Sequence, residues 1–272
     1  MKRLQPKKYL YAAIAATMMM GTAVSYAADV EKADEQKQVA PARYSAERDL
    51  QQIKELMASR DPMNWVFTGD SITHALVHTL GERSYVEQFS ERLRGGEVGW
   101  NRVRDVVIQT GISGDIAAGI LNDFSRRVSE YRPHVVSVMI GMNDARKGAE
   151  YKDEFRKNVE TLVDRIRGIG AIPVLHTMNH VQVDKVPIQK ETGNFAAIVK
   201  EVAQAKGVIL ADHWDYWTEH CTTPEILDEW MNDPIHPNGL GHRHFAIVLF
   251  KALDMYDANS VNCQPVDPRR KK

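Results

Sequence analysis

Short apolar runs alternate along the chain with longer segments whose apolar residues recur at helical spacing. The runs predict five strands, at 65–67, 103–108, 135–140, 172–175 and 208–210. The periodic segments predict helices at 45–59, 85–93, 116–131, 155–169, 195–205 and 239–255. Continuous apolar runs are typical of strands covered on both faces. The alternation therefore predicts an α/β fold with helices on both sides of a mostly parallel five-stranded sheet.

The first 27 residues have the pattern of a signal peptide. A basic start precedes an apolar run at 9–24, and Ser25-Tyr26-Ala27 supplies small residues at the two positions that a signal peptidase reads. The alternative is a membrane anchor, but the run is short for a spanning helix and is interrupted by polar residues and a glycine. We expect cleavage after Ala27, export to the periplasm or the medium, and no stable membrane insertion afterwards.

The rest of the chain reads as one domain. Residues 28–43 are polar and Ala-rich, which predicts a flexible leader. We expect the domain at 44–258 and a C-terminal tail at 259–272. With 43% hydrophobic and 26% charged residues and a net charge of -1, the composition is that of a globular protein with no general attraction to nucleic acid. The sequence does not predict an oligomeric state.

The chain has two cysteines, Cys221 and Cys263. Export would make a disulfide between them chemically feasible, because the compartment would be oxidising. Two unpaired thiols are the equal alternative, since sequence spacing does not fix the distance between the two Cα atoms.

Four short polar segments carry the candidate chemistry. Three follow predicted strands: Gly-Asp-Ser-Ile at 69–72, Ile-Ser-Gly-Asp at 112–115 and Gly-Met-Asn-Asp at 141–144. The fourth, Asp-Pro-Ile-His at 233–236, precedes the last predicted helix. Ligand sites of open parallel sheets form beyond the carboxyl ends of the strands, so these segments are expected to meet at one rim.

Their side chains suit acyl transfer. A serine hydroxyl needs a base to take its proton, and a histidine can do this when a carboxylate fixes its tautomer. Ser71, His236 and Asp233 supply these three groups, and the spacing of three between Asp233 and His236 allows contact within a turn. The backbone N–H groups of Ser71 and Gly114 and the side-chain amide of Asn143 could hold the oxyanion.

The four segments together resemble the blocks of the SGNH/GDSL hydrolase family, which contribute serine, glycine, asparagine and histidine. The resemblance gives these roles to Ser71, Gly114, Asn143 and His236, with Asp233 as the acid that orients the histidine. It implies a flavodoxin-like three-layer α/β/α sandwich and ester hydrolysis without a metal or another cofactor. One departure is Gln-Thr-Gly at 109–111, where relatives often carry an asparagine. The Gly-x-Ser-x-Gly elbow of other α/β-hydrolases is absent from the sequence.

We expect a small-molecule or carbohydrate ester as substrate, with a short acyl group such as acetyl. Export and the aromatic residues Trp214, Tyr216, Trp217 and Trp230 favour this, although those rings could equally be packed at the sheet edge. A lipase or lysophospholipase, an acyltransferase acting from the same site, and a non-catalytic binding protein remain the alternatives.

Several neighbouring residues have structural interpretations. Ser113 could replace Ser71 as nucleophile, but we expect it to cap the helix that starts near Asp115. Asp70 is expected to bind nearby backbone. His74 and His78 are four apart and could bind a metal on one helix face, but packed or exposed histidines are the preferred interpretation.

Overall fold

Five parallel strands form one central sheet in the computed structural model, which describes residues 44–95 and 100–265. Their spatial order is β2-β1-β3-β4-β5, and every neighbouring pair is parallel. The strands are β1 (Asn64–Gly69), β2 (Val106–Gln109), β3 (Val135–Met139), β4 (Ile172–His176) and β5 (Ile209–Ala211). This is the flavodoxin-like order. The predicted α/β fold is therefore confirmed, and the sheet is entirely parallel.

Helices cover both faces of this sheet: the helix at 85–94 packs on that at 239–252, and the helices at 117–122, 152–168 and 192–206 pack in succession. The longer helices are α1 (Ala46–Ala58), α3 (Tyr85–Arg94), α7 (Lys152–Gly168), α8 (Thr192–Lys206), α9 (His213–His220) and α11 (Gly239–Ala252). The shorter ones are α2 (Ser71–His74), α4 (Ala117–Asn122), α5 (Phe124–Arg127), α6 (Met142–Ala145) and α10 (Pro224–Trp230). Single 3₁₀ turns occupy Leu76–Thr79, Ser129–Tyr131, Ala149–Tyr151, Pro187–Gln189 and Val261–Cys263.

The core beneath β1 is aromatic. Trp65 and Phe67 alternate with apolar neighbours along the strand, and both rings contact Phe89 of α3, at centroid distances of 5.1 and 4.9 Å. The buried indole N–H of Trp65 donates to the Asp105 carboxylate. Such rings bury large apolar areas, so they fix the position of β1, whose carboxyl end leads directly to Ser71.

Two predicted elements differ from the structure. The helix predicted at 116–131 is broken into α4, α5 and a 3₁₀ turn, because Asp123 and Val128 leave the helical conformation with φ of -115° and -132°. The break lets Arg127 lie inside the protein, where it is 2% exposed. The run at 103–105 is a turn, and β2 begins only at Val106.

The segment before the last helix contains two helices, α9 and α10, that the sequence analysis did not predict. They bury Trp217 and Trp230 in edge-to-face contact at 5.0 Å, so these two rings belong to the core. Trp214 is half-buried and lies against the ring of His180 at 4.3 Å. Of the predicted aromatic cluster, Trp214 and Tyr216 are the members that keep partly open surfaces.

Both cysteines are free thiols, so the structure does not form the disulfide considered from the sequence. The C-terminal residues as far as Gln264 pack onto the domain: Arg92 of α3 donates to the Ser260 hydroxyl at 2.9 Å, and Arg243 of α11 donates to the Gln264 carbonyl at 2.8 Å.

The predicted signal peptide at 1–27 and leader at 28–43 lie outside the described residues. Among the helices that the structure describes, none has both the length and the apolar character required to span a bilayer.

Candidate active site

Ser71 begins α2 immediately after β1, at the carboxyl rim of the sheet. Asp70 caps this short helix, since its Oδ1 accepts a hydrogen bond from the Ile72 N–H at 3.0 Å, as the sequence analysis expected. Burial raises the pKa of Asp70 to about 7, against the opposing effect of that hydrogen bond, and nearby Asp144 and Asp115 raise it further. Asp70 therefore supports the turn that presents Ser71.

His236 joins Ser71 to Asp233 in one hydrogen-bonded line. The Ser71 Oγ lies 2.9 Å from Nε2 of His236, and Nδ1 of the same ring lies 2.7 Å from Oδ2 of Asp233. The structure thus brings together the three side chains that the sequence analysis singled out. β1 brings Ser71 to the rim, and the segment after β4 holds the Asp233 turn there, since the Asn179 Nδ2 donates to the Ile235 carbonyl at 3.0 Å.

Asp233 is held by its own turn as well as by the histidine. Its Oδ1 accepts the backbone N–H groups of Ile235 and His236 at 2.8 and 2.9 Å. Partial burial acts to raise the pKa of Asp233, but these two hydrogen bonds and the interaction with the His236 ring outweigh it, and the pKa is lowered. The carboxylate is therefore ionised and faces the ring nitrogen that needs an acceptor.

Three loops of the rim are tied to one another. The Ile112 N–H donates to the Gly69 carbonyl at 3.0 Å, which joins the Ser71 and Gly114 loops. The Asn143 Nδ2 donates to the Asp115 carbonyl at 3.0 Å, which joins the third loop to the second. Beside it, the buried Asp144 carboxylate accepts the Ala117 N–H.

The expected oxyanion donors are available in this arrangement. Within residues 44–95 and 100–265, the backbone N–H groups of Ser71 and Gly114 donate to no protein acceptor. Gly114 has a φ of +83°, a conformation that side chains rarely adopt, so glycine is required there. The Asn143 amide uses one N–H on Asp115 and has a second to offer.

Gln109, at the position where the chain departs from the family pattern, supports the same region. Its Nε2 donates to the carbonyls of Thr73 and His74 at 3.0 and 2.9 Å, and its Oε1 accepts the Gly111 N–H at 3.2 Å. The glutamine thus bridges the end of α2 and the loop that leads to Gly114. Gln109 therefore supports the Gly114 loop at the position of this departure.

Ser113 is not the helix cap that the sequence predicted, and the two neighbouring histidines do not share the helix face that their spacing indicated. The residue preceding α4 is Ile116, so Ser113 does not cap it; the Ser113 Oγ instead lies 2.9 Å from Nδ1 of His74 and 3.5 Å from Nε2 of His78. Ala75 has a φ of 60° and ends α2, so His74 and His78 share no helix face.

His78 is the unexpected component of the site. Its ring stacks on the ring of His236, with centroids 3.8 Å apart and planes 16° from parallel. Partial burial lowers the pKa of His78, as do the charges of His236 and His74, while Asp233 opposes them. No sequence signal indicates this contact, because it depends on the backbone reversal at Ala75.

A buried arginine also escaped the sequence analysis. The Arg127 guanidinium pairs with the Asp115 carboxylate and donates to the Gly69 carbonyl at 2.8 Å and to the Thr68 hydroxyl at 3.1 Å. Its Nε donates to the Thr110 carbonyl at 3.1 Å. One side chain therefore connects the end of β1 with both sides of the Gly114 loop.

Replacing Arg127 with alanine is expected to lower the free energy of unfolding by about 3 to 5 kcal/mol, because the Asp115 carboxylate would lose its ion-pair partner and the Gly69 and Thr110 carbonyls would each lose a hydrogen bond inside the protein. Urea unfolding would measure the change. Arg126→Ala is the matched control: Arg126 pairs with Asp123 at the surface, with 66% of its side chain exposed, and its loss should leave stability almost unchanged. Equal effects of the two variants would contradict the role given to Arg127.

A largely apolar cavity of about 850 Å³ lies beside the helix that carries Ser71. It is lined among others by His74, Leu76, Val77, Leu80 and Val86. Three of these, Leu76, Val77 and Leu80, are exposed apolar residues. None of Ser71, His236, Asp233, Gly114 and Asn143 lines it, so the cavity adjoins the site and does not form part of it.

One group of side chains in the described residues could hold a metal ion. His78, Asp233 and His236 each offer one ligand atom, and these atoms lie within 4.8 Å of one another.

Comparisons with known proteins agree with this architecture. Residues 67–244 match the model of the GDSL-like lipase/acylhydrolase family. An acetylxylan esterase of Geobacillus stearothermophilus is 24% identical over 159 residues, which cover 54% of this chain and 71% of the relative.

Two solved structures show the same fold. An alpha/beta hydrolase, LAE5, from the metagenome of Lake Arreo, Spain, superposes with a TM-score of 0.61 at 20% identity, covering 73% of this chain and 99% of the other. The acetylxylan esterase Axe2 of Geobacillus stearothermophilus gives the same TM-score at 20% identity, covering 72% and 97%. Because the family match extends over more than half of its length, the chain belongs to the GDSL-like lipase/acylhydrolase family, as the four sequence blocks indicated.

Proposed function

We propose that this serine ester hydrolase is an exported esterase that removes short acyl groups, acetyl in the first place, from carbohydrate esters. Ser71 is the nucleophile, His236 the general base and Asp233 the residue that orients the base. The observation that carries the proposal is the line of hydrogen bonds from the Ser71 Oγ through both nitrogens of His236 to Asp233, at 2.9 and 2.7 Å. The curated relative named an acetylxylan esterase supports the choice of acyl group and substrate.

The first half of the reaction forms an acyl-enzyme. The Ser71 Oγ attacks the ester carbonyl carbon while Nε2 of His236 takes the hydroxyl proton. The ionised Asp233 stabilises the imidazolium that results. When the tetrahedral intermediate collapses, the C–O bond to the alcohol breaks, and His236 returns the proton to the leaving alkoxide.

The oxyanion is held by the N–H groups of Ser71 and Gly114 and by the second N–H of the Asn143 amide. These donors are fixed before the substrate arrives, because the three loops are hydrogen-bonded to one another. Loss of one such donor typically costs about 3 to 4 kcal/mol of barrier.

In the second half, water replaces the alcohol. His236 takes a proton from the water, whose oxygen attacks the acyl carbon, and it returns that proton to the Ser71 Oγ as the acid leaves. An acyltransferase would use a sugar hydroxyl in place of water. Product analysis with added acetyl donor and sugar acceptor separates the two, since a hydrolase releases free acetate in proportion to the donor consumed.

A second candidate, a lipase or lysophospholipase, is favoured by one observation. The apolar cavity beside α2, with the exposed residues Leu76, Val77 and Leu80 on its wall, has room for a longer acyl chain than acetyl. An acetyl ester would leave this surface unused.

Nitrophenyl esters of rising chain length test the acyl preference. We expect the highest kcat/KM for the acetate, with a steady fall for longer chains. A preference for long chains would reject the short-acyl proposal, above all if Val77→Asp, which places a charge on the cavity wall, removed that preference while sparing the acetate. Measurement on acetylated sugars would then test the carbohydrate part.

The protonation state of His236 should control the pH profile. The pKa of Asp233 is lowered, because hydrogen bonds to the ionised carboxylate outweigh its partial burial, so Asp233 stays charged well below neutral pH. Protonation of His236 then accounts for the acid limb, since an imidazolium cannot take the serine proton. Because Asp233 stays ionised, log kcat/KM should bend on the acid side to a limiting slope of one. A flat profile, or a slope of two, would contradict this assignment.

Export is the remaining part of the proposal. It rests on the basic and apolar pattern of residues 1–27. Fractionation and N-terminal sequencing of the mature protein test it, with Ala28 as the expected first residue. A chain recovered only in the cytoplasm with its first 27 residues intact would reject it.

A further inference from the structure

A second histidine, His78, packs against His236, the proposed general base. His78 and His236 stack at 3.8 Å, and one ring nitrogen of each lies within 4.8 Å of the other and of a carboxylate oxygen of Asp233. All three side chains are half-buried or partly exposed, so the group is open to ions from solution. The proposed hydrolysis uses His236 and Asp233, but none of its steps uses the lone pair of His78.

Two imidazole nitrogens and one carboxylate oxygen are a common ligand set for Zn²⁺, with a fourth position left to water. Metal–nitrogen distances of about 2.0 to 2.1 Å and tetrahedral angles place neighbouring ligand atoms about 3.3 Å apart. Ligand atoms that already lie within 4.8 Å of one another need to close by about 1.5 Å at most. Rotation of a side chain can produce a movement of this size without a change in the backbone.

His78 is the side chain best able to move. Nearly parallel rings do not both aim a lone pair at one ion, so His78 must turn out of the stack. Its contact with the Ser113 Oγ is long, at 3.5 Å, and the residues before it, Leu76 and Val77, are exposed. The rotation gives up the stack on His236 and this weak hydrogen bond.

We propose that His78, Asp233 and His236 form an inhibitory site for Zn²⁺ or a similar borderline transition-metal ion. The ion would occupy a lone pair of His236 and the Asp233 carboxylate, so the base could neither accept the Ser71 proton nor keep its orientation. The inhibitory consequence rests on the proposed function, whereas ion binding by the three ligands does not. Ca²⁺ and Mg²⁺ prefer oxygen ligands and are excluded by this donor set.

Ion binding is measured by titrating Zn²⁺ into the full-length Ser71→Ala variant in a calorimeter, which needs no activity. We expect one site per chain. Adding His78→Phe, which keeps a planar ring without a lone pair, should weaken the binding at least about tenfold, since loss of even a hydrogen-bond partner of a ligand costs that much. The matched control is His74→Phe, a neighbouring histidine outside the ligand group, which should leave the affinity unchanged. Absence of a site, or an equal affinity in the His78 variant, would overturn the proposal.

Inhibition of nitrophenyl acetate hydrolysis is measured on proteins that retain Ser71. Each variant is compared with its own rate without zinc. Zn²⁺ should inhibit the wild type and the His74→Phe variant alike, chelation should restore both, and His78→Phe should need at least about tenfold more zinc. Zinc that binds in the calorimeter but leaves hydrolysis unchanged would overturn the inhibitory role. A wild type that hydrolyses no ester even without zinc would instead reject the proposed function, and the calorimetric result would stand by itself.

Discussion

Replacing Ser71 with alanine is expected to lower kcat by about a million-fold and to leave the fold intact. The side chain makes one hydrogen bond, to Nε2 of His236, and alanine fits the start of α2 because Asp70 provides the cap. Without the hydroxyl no acyl-enzyme can form, so only water attack assisted by the oxyanion donors remains. Steady-state hydrolysis of nitrophenyl acetate measures the loss, and labelling by a fluorophosphonate probe should disappear with it.

Ser113→Ala is the matched control for that experiment. Ser113 also has a histidine beside it, since its Oγ lies 2.9 Å from Nδ1 of His74, and the sequence alone allowed it as an alternative nucleophile. We expect this variant to react with the probe and to keep hydrolysis within about tenfold of the wild type. Labelling that survives Ser71→Ala but is lost in Ser113→Ala would exchange the roles of the two serines. A wild type that never reacts with the probe would favour the non-catalytic binding protein.

The fold was predictable because its three central strands, β1, β3 and β4, are buried on both sides. Runs such as 135–139 and 172–176 contain almost only apolar residues, and each ends where a polar loop must begin. A parallel sheet then places those loops at one rim whatever the distance along the chain. This is why Ser71 and Asn143 could be expected together from order and residue type alone, whereas His236, which precedes the last helix, was added by the resemblance of its segment to the fourth family block.

The elements that escaped prediction depend on contacts between distant parts of the chain. The helical periodicity at 116–131 is genuine, but the chain breaks at Asp123 and Val128, and Arg127 turns inwards to meet Asp115 and the end of β1. No local pattern distinguishes that arginine from its exposed neighbour Arg126. The difference arises only when the buried carbonyls that Arg127 satisfies are in place.

The histidines beside Ser71 illustrate the same limit. Spacing of four predicts a shared face only where the helix continues, and here it ends at Ala75 with a φ of 60°. The reversal directs His78 towards His236 and leaves His74 on Ser113. A non-glycine residue with positive φ is unusual and marks a position where local preference is overridden. Here that position determines what surrounds the proposed base.

The hydrogen bonds in the turn that carries Asp233 determine how an asparagine would be oriented at this position. Replacing Asp233 with asparagine is expected to lower kcat by about 10⁴-fold with little change in thermal stability. Oδ1 of Asp233 accepts two backbone N–H groups, so an asparagine should keep its oxygen there and preserve the turn. Circular dichroism melting and steady-state kinetics measure the two quantities. A loss of stability equal to that of Asp233→Ala would show that the turn had not been preserved.

With the oxygen committed to the turn, the asparagine NH₂ replaces Oδ2 and faces Nδ1 of His236 at the position now 2.7 Å away. A donor there requires Nδ1 to be the acceptor, which moves the ring proton to Nε2. Nε2 then presents a hydrogen to Ser71 instead of a lone pair, and the hydroxyl has no base. Asp228→Asn, which changes an exposed carboxylate in α10, is the control and should remain near the wild-type rate. Activity of Asp233→Asn close to that of this control would mean that Asp233 does not set the tautomer of His236, and the acid of the proposed line would have to be sought elsewhere.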